Sequence, residues 1–200
     1  MVALSAQLHW STGYCESWAV FSPCHTWRYR LVRVWDSDKP RLAWVIRNGS
    51  EADERRSDAT IRRCMSFARA WGYGGVDIGH LYGLVSKKPD AFTKAHSDPV
   101  GPDNDIHLGA VCSQNDLTVL AWGPNADTER VHAVVQMLSR HANRRGGSLA
   151  VLDWTRGAQP LHPLLAPQDA TLKCLTLSGP DCCFHETEDP RWGHLVAGAA

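Results

Sequence analysis

The sequence carries no net charge, no apolar run long enough to cross a bilayer, and no repeated cysteine spacing. Each absence removes a class of protein. A spanning helix needs about 20 consecutive apolar residues, so no membrane segment is expected. The amino-terminal residues MVALSAQLHWSTGY set no basic flank before an apolar stretch, so no signal peptide is expected and the chain is read as cytoplasmic. Seven cysteines, an odd number without pairing, argue against a disulfide framework. Cys182-Cys183-Phe184-His185 is the one cluster that hints at metal, but it lacks the CxxC pairs of structural zinc sites, so no metal is expected. Walker, GxGxxG, HExxH and GxSxG patterns are all missing, which removes the commonest nucleotide and hydrolase signatures.

What remains is a chain of 200 residues, 44% hydrophobic and 21% charged, which fits one globular domain over 1–200. Charge is uneven: residues 1–75 hold 11 Lys/Arg against 7 Asp/Glu, and residues 76–200 hold 10 against 14. The basic half is almost all arginine, and two readings follow. One is ordinary surface scatter. The other is a phosphate-binding face built from Arg28, Arg30, Arg33, Arg55, Arg56, Arg62 and Arg63.

The stretch from Arg41 to Gly75 organises the rest. Leu42 to Ile46 has the length of a buried strand, broken at Asn48-Gly49-Ser50. Ile61, Cys64, Met65, Ala68 and Trp71 then recur at helical spacing, with Ser57 or Asp58 as cap and Gly72 as stop. Upstream, Tyr29 to Trp35 alternates arginine with apolar residues, the pattern of a half-buried strand. Joined to Leu42–Ile46 through DSDKP, it predicts an N-terminal antiparallel hairpin. Downstream, Val76 to His80, Leu117 to Trp122 and Ser148 to Leu152 read as further strands. A helix from about Asp105 to Ser113 and one capped by Asp127 or Thr128, with Val131, Val134, Val135 and Leu138 on one face, separate them. Beyond Thr171 an edge strand is expected. Alternating strands and helices predict an α/β domain with a mostly parallel sheet.

In such a sheet, ligands bind outside the carboxyl ends of the strands. The strand assignments then gather Asn48, Ser50, Asp53, His80, Tyr82, Trp122 and His162 along one rim. An unremarkable role is available for each, as turn former, cap or surface histidine.

Taken in order, these motifs resemble the bacterial and phage domain-of-unknown-function family numbered 1643. The resemblance rests on the aromatic–arginine strand Tyr29–Trp35 and on Asn48-Gly49-Ser50-Glu51-Ala52-Asp53 for N-P-S-x-A-D. Asp58-Ala59-Thr60-Ile61-Arg62-Arg63 matches D-x-T-x-R-R, and Phe67 to Gly75 matches F-A-R-x-W-G-Y-G-G. His80-Leu81-Tyr82 stands for N-L-F, Gly101 to Asp105 for G-P-x-N-D, Trp122-Gly123 for W-G, and His162-Pro163-Leu164 for H-P-L. The match spans about 24–166, leaving 167–200 as an extension. Gly49, His80 and Leu161 depart from the family's proline, asparagine and arginine.

A more distant similarity, to the uracil-DNA glycosylase superfamily, implies a fold and an activity. The fold is a three-layer sandwich around a mostly parallel sheet. The activity is hydrolysis of an N-glycosidic bond in DNA, without metal or organic cofactor. On that resemblance Asn48 orients the water and His162 hydrogen-bonds the departing base, although Leu164 stands where a serine is expected. Asp53 or Asp58 stabilises charge on the sugar. Ser50, Asp58, Thr60, Arg62, Arg63, His80, Tyr82, Asn104 and Trp122 are the substrate-binding candidates, for a DNA or nucleotide partner. The alternative is a non-catalytic nucleic-acid- or protein-binding module. A zinc protein ranks last. Oligomeric state is open.

Overall fold

The computed structural model describes residues 6–8, 13–49, 57–85, 98–176 and 189–197. Their centre is an eight-stranded sheet. The strands are β1 (Ala6–Leu8), β2 (Glu16–Phe21), β3 (Arg28–Val34), β4 (Arg41–Gly49), β5 (Gly75–Val85), β6 (Leu117–Leu120), β7 (Ser148–Val151) and β8 (Lys173–Thr176). The helices are α1 (Ala59–Ala70), α2 (Asn104–Ser113), α3 (Thr128–Arg145) and α4 (Pro190–Ala197). Spatial order is β1-β2-β3-β5-β4-β6-β7-β8. The central strands β5, β4, β6 and β7 are parallel, and antiparallel strands extend both sides. The expected edge strand after Thr171 is β8, antiparallel to β7.

The helices bury two separate cores against this sheet. Ile61, Cys64, Met65, Phe67 and Ala68 of α1 pack with Trp44, Ile46 and Ile78. Leu108 of α2 and Val131, Val134, Val135 and Leu138 of α3 pack with Val45, Leu81 and Leu120. Adjacent residues of β4 therefore serve different cores, as period-two alternation requires. The sequence-predicted apolar faces of α1 and α3 are the faces that are buried. Asp58 caps α1 by accepting from Ile61 N at 2.8 Å, and Asp127 caps α3 by accepting from Arg130 N at 2.9 Å. Gly146 ends α3 in the left-handed region at φ 69°.

The expected hairpin of Tyr29–Trp35 with Leu42–Ile46 does not form. β5 lies between β3 and β4, antiparallel to the first and parallel to the second, and the N-terminal hairpin is instead β2 with β3. Gly74 and Gly75 let β5 enter there. A Cβ on Gly74 would lie 2.0 Å from Asp36 O, and one on Gly75 2.8 Å from Arg33 O. Nor is β3 half-buried: all seven residues are buried, arginines included. Arg30 pairs with Asp77, its Nε donating to Oδ1 at 2.7 Å, and also donates to Gln114 Oε1 at 2.7 Å. Arg28 lies 3.0 Å from His80 Nε2, and Arg33 Nη1 donates to Val32 O at 2.9 Å. Arg28, Arg30 and Arg33 are thus internal and form no phosphate-facing surface; Arg55 and Arg56 lie outside the described residues.

Candidate functional site

β4 connects through α1 to β5 on one side, and the chain then returns to place β6 on β4's other side. Neighbouring connections diverge at that reversal, which opens a crevice beyond the carboxyl ends of β4 and β6. A cavity of about 100 Å³ lies beside the end of β4, lined by Ile46, Arg47, Asn48, Asp58, Thr60 and His162. Asn48 ends the regular pairing of β4: it is opposite Tyr82, and the register then shifts so that Gly49 is opposite Val85. Asp58 and Thr60 come from the start of α1. His162 arrives from the loop after β7, just before a 3-10 turn, Pro163–Leu165.

Several contacts fix His162. Its Nδ1 accepts from Leu164 N at 3.3 Å, so in the neutral ring the proton is on Nε2. Burial lowers its pKa, opposed in part by Asp58, so the neutral donor form dominates at pH 7. Gly123, at φ 77°, lies against the imidazole stem; a Cβ there would stand 3.0 Å from His162 Cβ. Gly123 N also donates to Pro160 O at 2.9 Å, tying the end of β6 to the same loop.

Of the expected rim, only Asn48 and His162 among the described residues therefore meet, joined by the substrate-binding candidates Asp58 and Thr60. Ser50 and Asp53 lie outside the described residues, as do Cys182, Cys183 and His185. His80, Tyr82, Asn104 and Trp122 do not line the cavity. His80 is not at a strand end, because β5 runs on to Val85; it is wholly buried against Arg28, and burial and that guanidinium push its pKa well down. Tyr82 Oη accepts from Asp127 N at 3.0 Å, holding the start of α3. Asn104 Nδ2 donates to His80 O at 2.8 Å, joining α2 to β5. Trp122 is buried, and its Nε1 donates to Gln159 Oε1 at 2.7 Å. Arg62 is exposed and donates to Ser57 O; Arg63 donates to Ala166 O at 2.8 Å.

Sequence reasoning missed Arg47 and Gly123. Arg47 sits between Ile46 and Asn48, where simple alternation offered no signal of a cavity. Gly123 carried one: a glycine directly after the best-marked strand.

A larger cleft, about 430 Å³, opens at the amino ends of the parallel strands, with Glu16, Lys39, Arg41, Gln114, Asn115 and Asp116 among its lining. It gathers none of the sequence-predicted residues, and ligand sites in open α/β sheets lie at the other end. The smaller cavity is therefore the candidate site. Among the described residues no group of three or more His, Cys, Asp or Glu side chains is arranged to hold a metal ion.

A family model described as a protein of unknown function, DUF1643, matches residues 28–164. No curated protein and no solved structure matches the chain.

Proposed function

This chain belongs to the DUF1643 family, and on that premise we propose that it acts on nucleic acid or a nucleotide by hydrolysing an N-glycosidic bond at the Asn48–His162 cavity. The observation that carries the reading is the meeting of Asn48, Asp58, Thr60 and His162, delivered by three separate segments, in one small polar cavity. The distribution of helices over two cores supports the three-layer, glycosylase-like form of the fold, and a cytoplasmic setting belongs to the same reading. The described residues contain no helix long and apolar enough to cross a membrane.

The chemistry needs a water, a donor for the departing base and a negative group beside the sugar. The Asn48 amide holds the water but cannot deprotonate it. As the C1′–N bond breaks, its electron pair passes to the base, and the neutral His162 Nε2–H hydrogen-bonds the anion that forms. The Asp58 carboxylate stabilises the positive charge growing on the sugar. Water oxygen then bonds to C1′, and the water's proton leaves to solvent or base. These steps require no metal or organic cofactor.

The test is incubation with DNA carrying modified and unmodified bases, scored for abasic sites, using wild type, Asn48→Ala and His162→Ala. Losing the His162 donor is expected to lower the rate by about 100-fold or more. Equal product from all three proteins removes the proposed roles.

The size of the cavity favours a second reading. About 100 Å³ is below the roughly 300 Å³ at which small-molecule sites begin. A non-catalytic nucleic-acid- or protein-binding module needs no larger pocket. It predicts retained binding and no abasic product from wild type.

A further inference from the structure

His162 owes its place to the way its segment is attached. Leu161 and Ala166 pack into the α1 core, while Leu164 and Leu165 between them are 50% and 63% exposed. Within the intervening turn only Pro163 is buried, so the exposed half of the turn has little apolar contact to hold it. Arg63 of α1 reaches this segment: its Nη2 donates to Ala166 O at 2.8 Å, and its guanidinium carbon lies 4.6 Å from the centre of the Phe67 ring. A planar guanidinium can cover a ring while donating from its edge; an ammonium cannot do both with the same geometry.

We propose that Arg63 is a positioning residue, clamping the 161–166 segment onto α1 so that His162 keeps a fixed place beside Asp58 and Thr60. Its guanidinium is committed to Ala166 and Phe67, and it acts on substrate only through His162. The functional weight of the inference rests on reading the cavity as the reacting site, but the clamp can be measured without activity. α1 supplies both sides of the relation, Asp58 and Thr60 at its start and Arg63 one turn on, so a loosened clamp moves the imidazole relative to the helix. The Leu164 N–H bond to Nδ1, which selects the tautomer, lies inside the clamped turn.

The experiment is 15N NMR of the histidine side chains across pH in wild type, Arg63→Lys, Arg63→Gln and the control Arg62→Lys. In wild type and the control, His162 is expected as the Nε2–H tautomer, titrating below an ordinary histidine. In Arg63→Gln the Nδ1–H tautomer appears, and the titration moves up toward the exposed value as the turn opens to solvent. Arg63→Lys, which keeps charge and reach but loses the stack, falls between. If Arg63→Gln fails to fold, Arg63→Lys decides. Wild-type His162 signals in either folded variant overturn the clamp. Shifted signals in a protein that releases no base from any DNA leave the clamp standing and remove the glycosidic reading. If wild type does release base, Arg63→Lys is expected to lower kcat about tenfold with KM nearly unchanged.

Discussion

His162 combines a lowered pKa with a tautomer set by a backbone donor, and His80 is a second histidine held neutral by burial and by Arg28. Both have folded pKa values below the ordinary value of about 6.5. Below that value these two groups bind more protons in the unfolded chain than in the folded one, so their contribution to stability rises with pH there and is flat above it. The urea midpoint is expected to fall from about pH 6.5 downward as these two imidazoles are forced to protonate. A midpoint that climbs on acidification contradicts this. Gly123 is the other residue with a sharp expectation. Gly123→Ala places a Cβ against His162 at a backbone angle that L residues rarely adopt, which costs about 1–3 kcal/mol. Chemical denaturation should show that loss, and the His162 imidazole signals should shift with it.

At the scale of the element, α1 does two jobs with one residue. Asp58 caps the helix and faces the cavity. Asp58→Ala removes cap and charge together and is expected to lower stability by about 1 kcal/mol. Asp58→Ser keeps a cap and removes only the charge, so its stability should stay near wild type. If the carboxylate steadies the sugar, both variants lose abasic-site formation alike; activity in Asp58→Ser equal to wild type assigns Asp58 to capping alone. The link between α2 and β5 is a comparable case. Asn104→Ala leaves the buried His80 carbonyl without its donor, and a loss of about 1–3 kcal/mol in unfolding free energy is expected. This residue fell within the G-P-x-N-D motif as a substrate-binding candidate, yet its side chain is spent on holding a helix to a strand.

Over the whole molecule, the antiparallel flank is joined to the parallel centre through charge as well as backbone pairing. Asp77 of β5 is wholly buried, paired with Arg30 of β3 and accepting from Asn115 Nδ2 at 3.0 Å. Asp77→Ala leaves a buried guanidinium with its main counterion gone, and a loss of about 3–5 kcal/mol is expected, read from urea unfolding with an unchanged slope. A loss under 1 kcal/mol means that water reaches Arg30. This network also explains why Tyr29 to Trp35 misled: arginines among apolar residues imitate a solvent-facing edge, and it is the Asp77 carboxylate arriving from β5 that makes the burial of Arg30 tolerable.

Local chemistry was enough to place α1, α3 and the parallel strands, since apolar spacing, Asp caps and glycine stops act within a few residues of one another. It was also enough to put Asn48 at the end of its strand and His162 in the loop after the fourth parallel strand. Strand order was beyond its reach: the Gly74 and Gly75 backbones must pass between two segments already in place, and nothing near them in the chain records that. Which rim residues share a cavity was decided the same way. His80, Tyr82, Asn104 and Trp122 are polar-tipped candidates too, but long-range hydrogen bonds turn them inward. Periodicity reports which face of a strand is apolar; the partners that consume a polar side chain are brought to it only when the sheet closes.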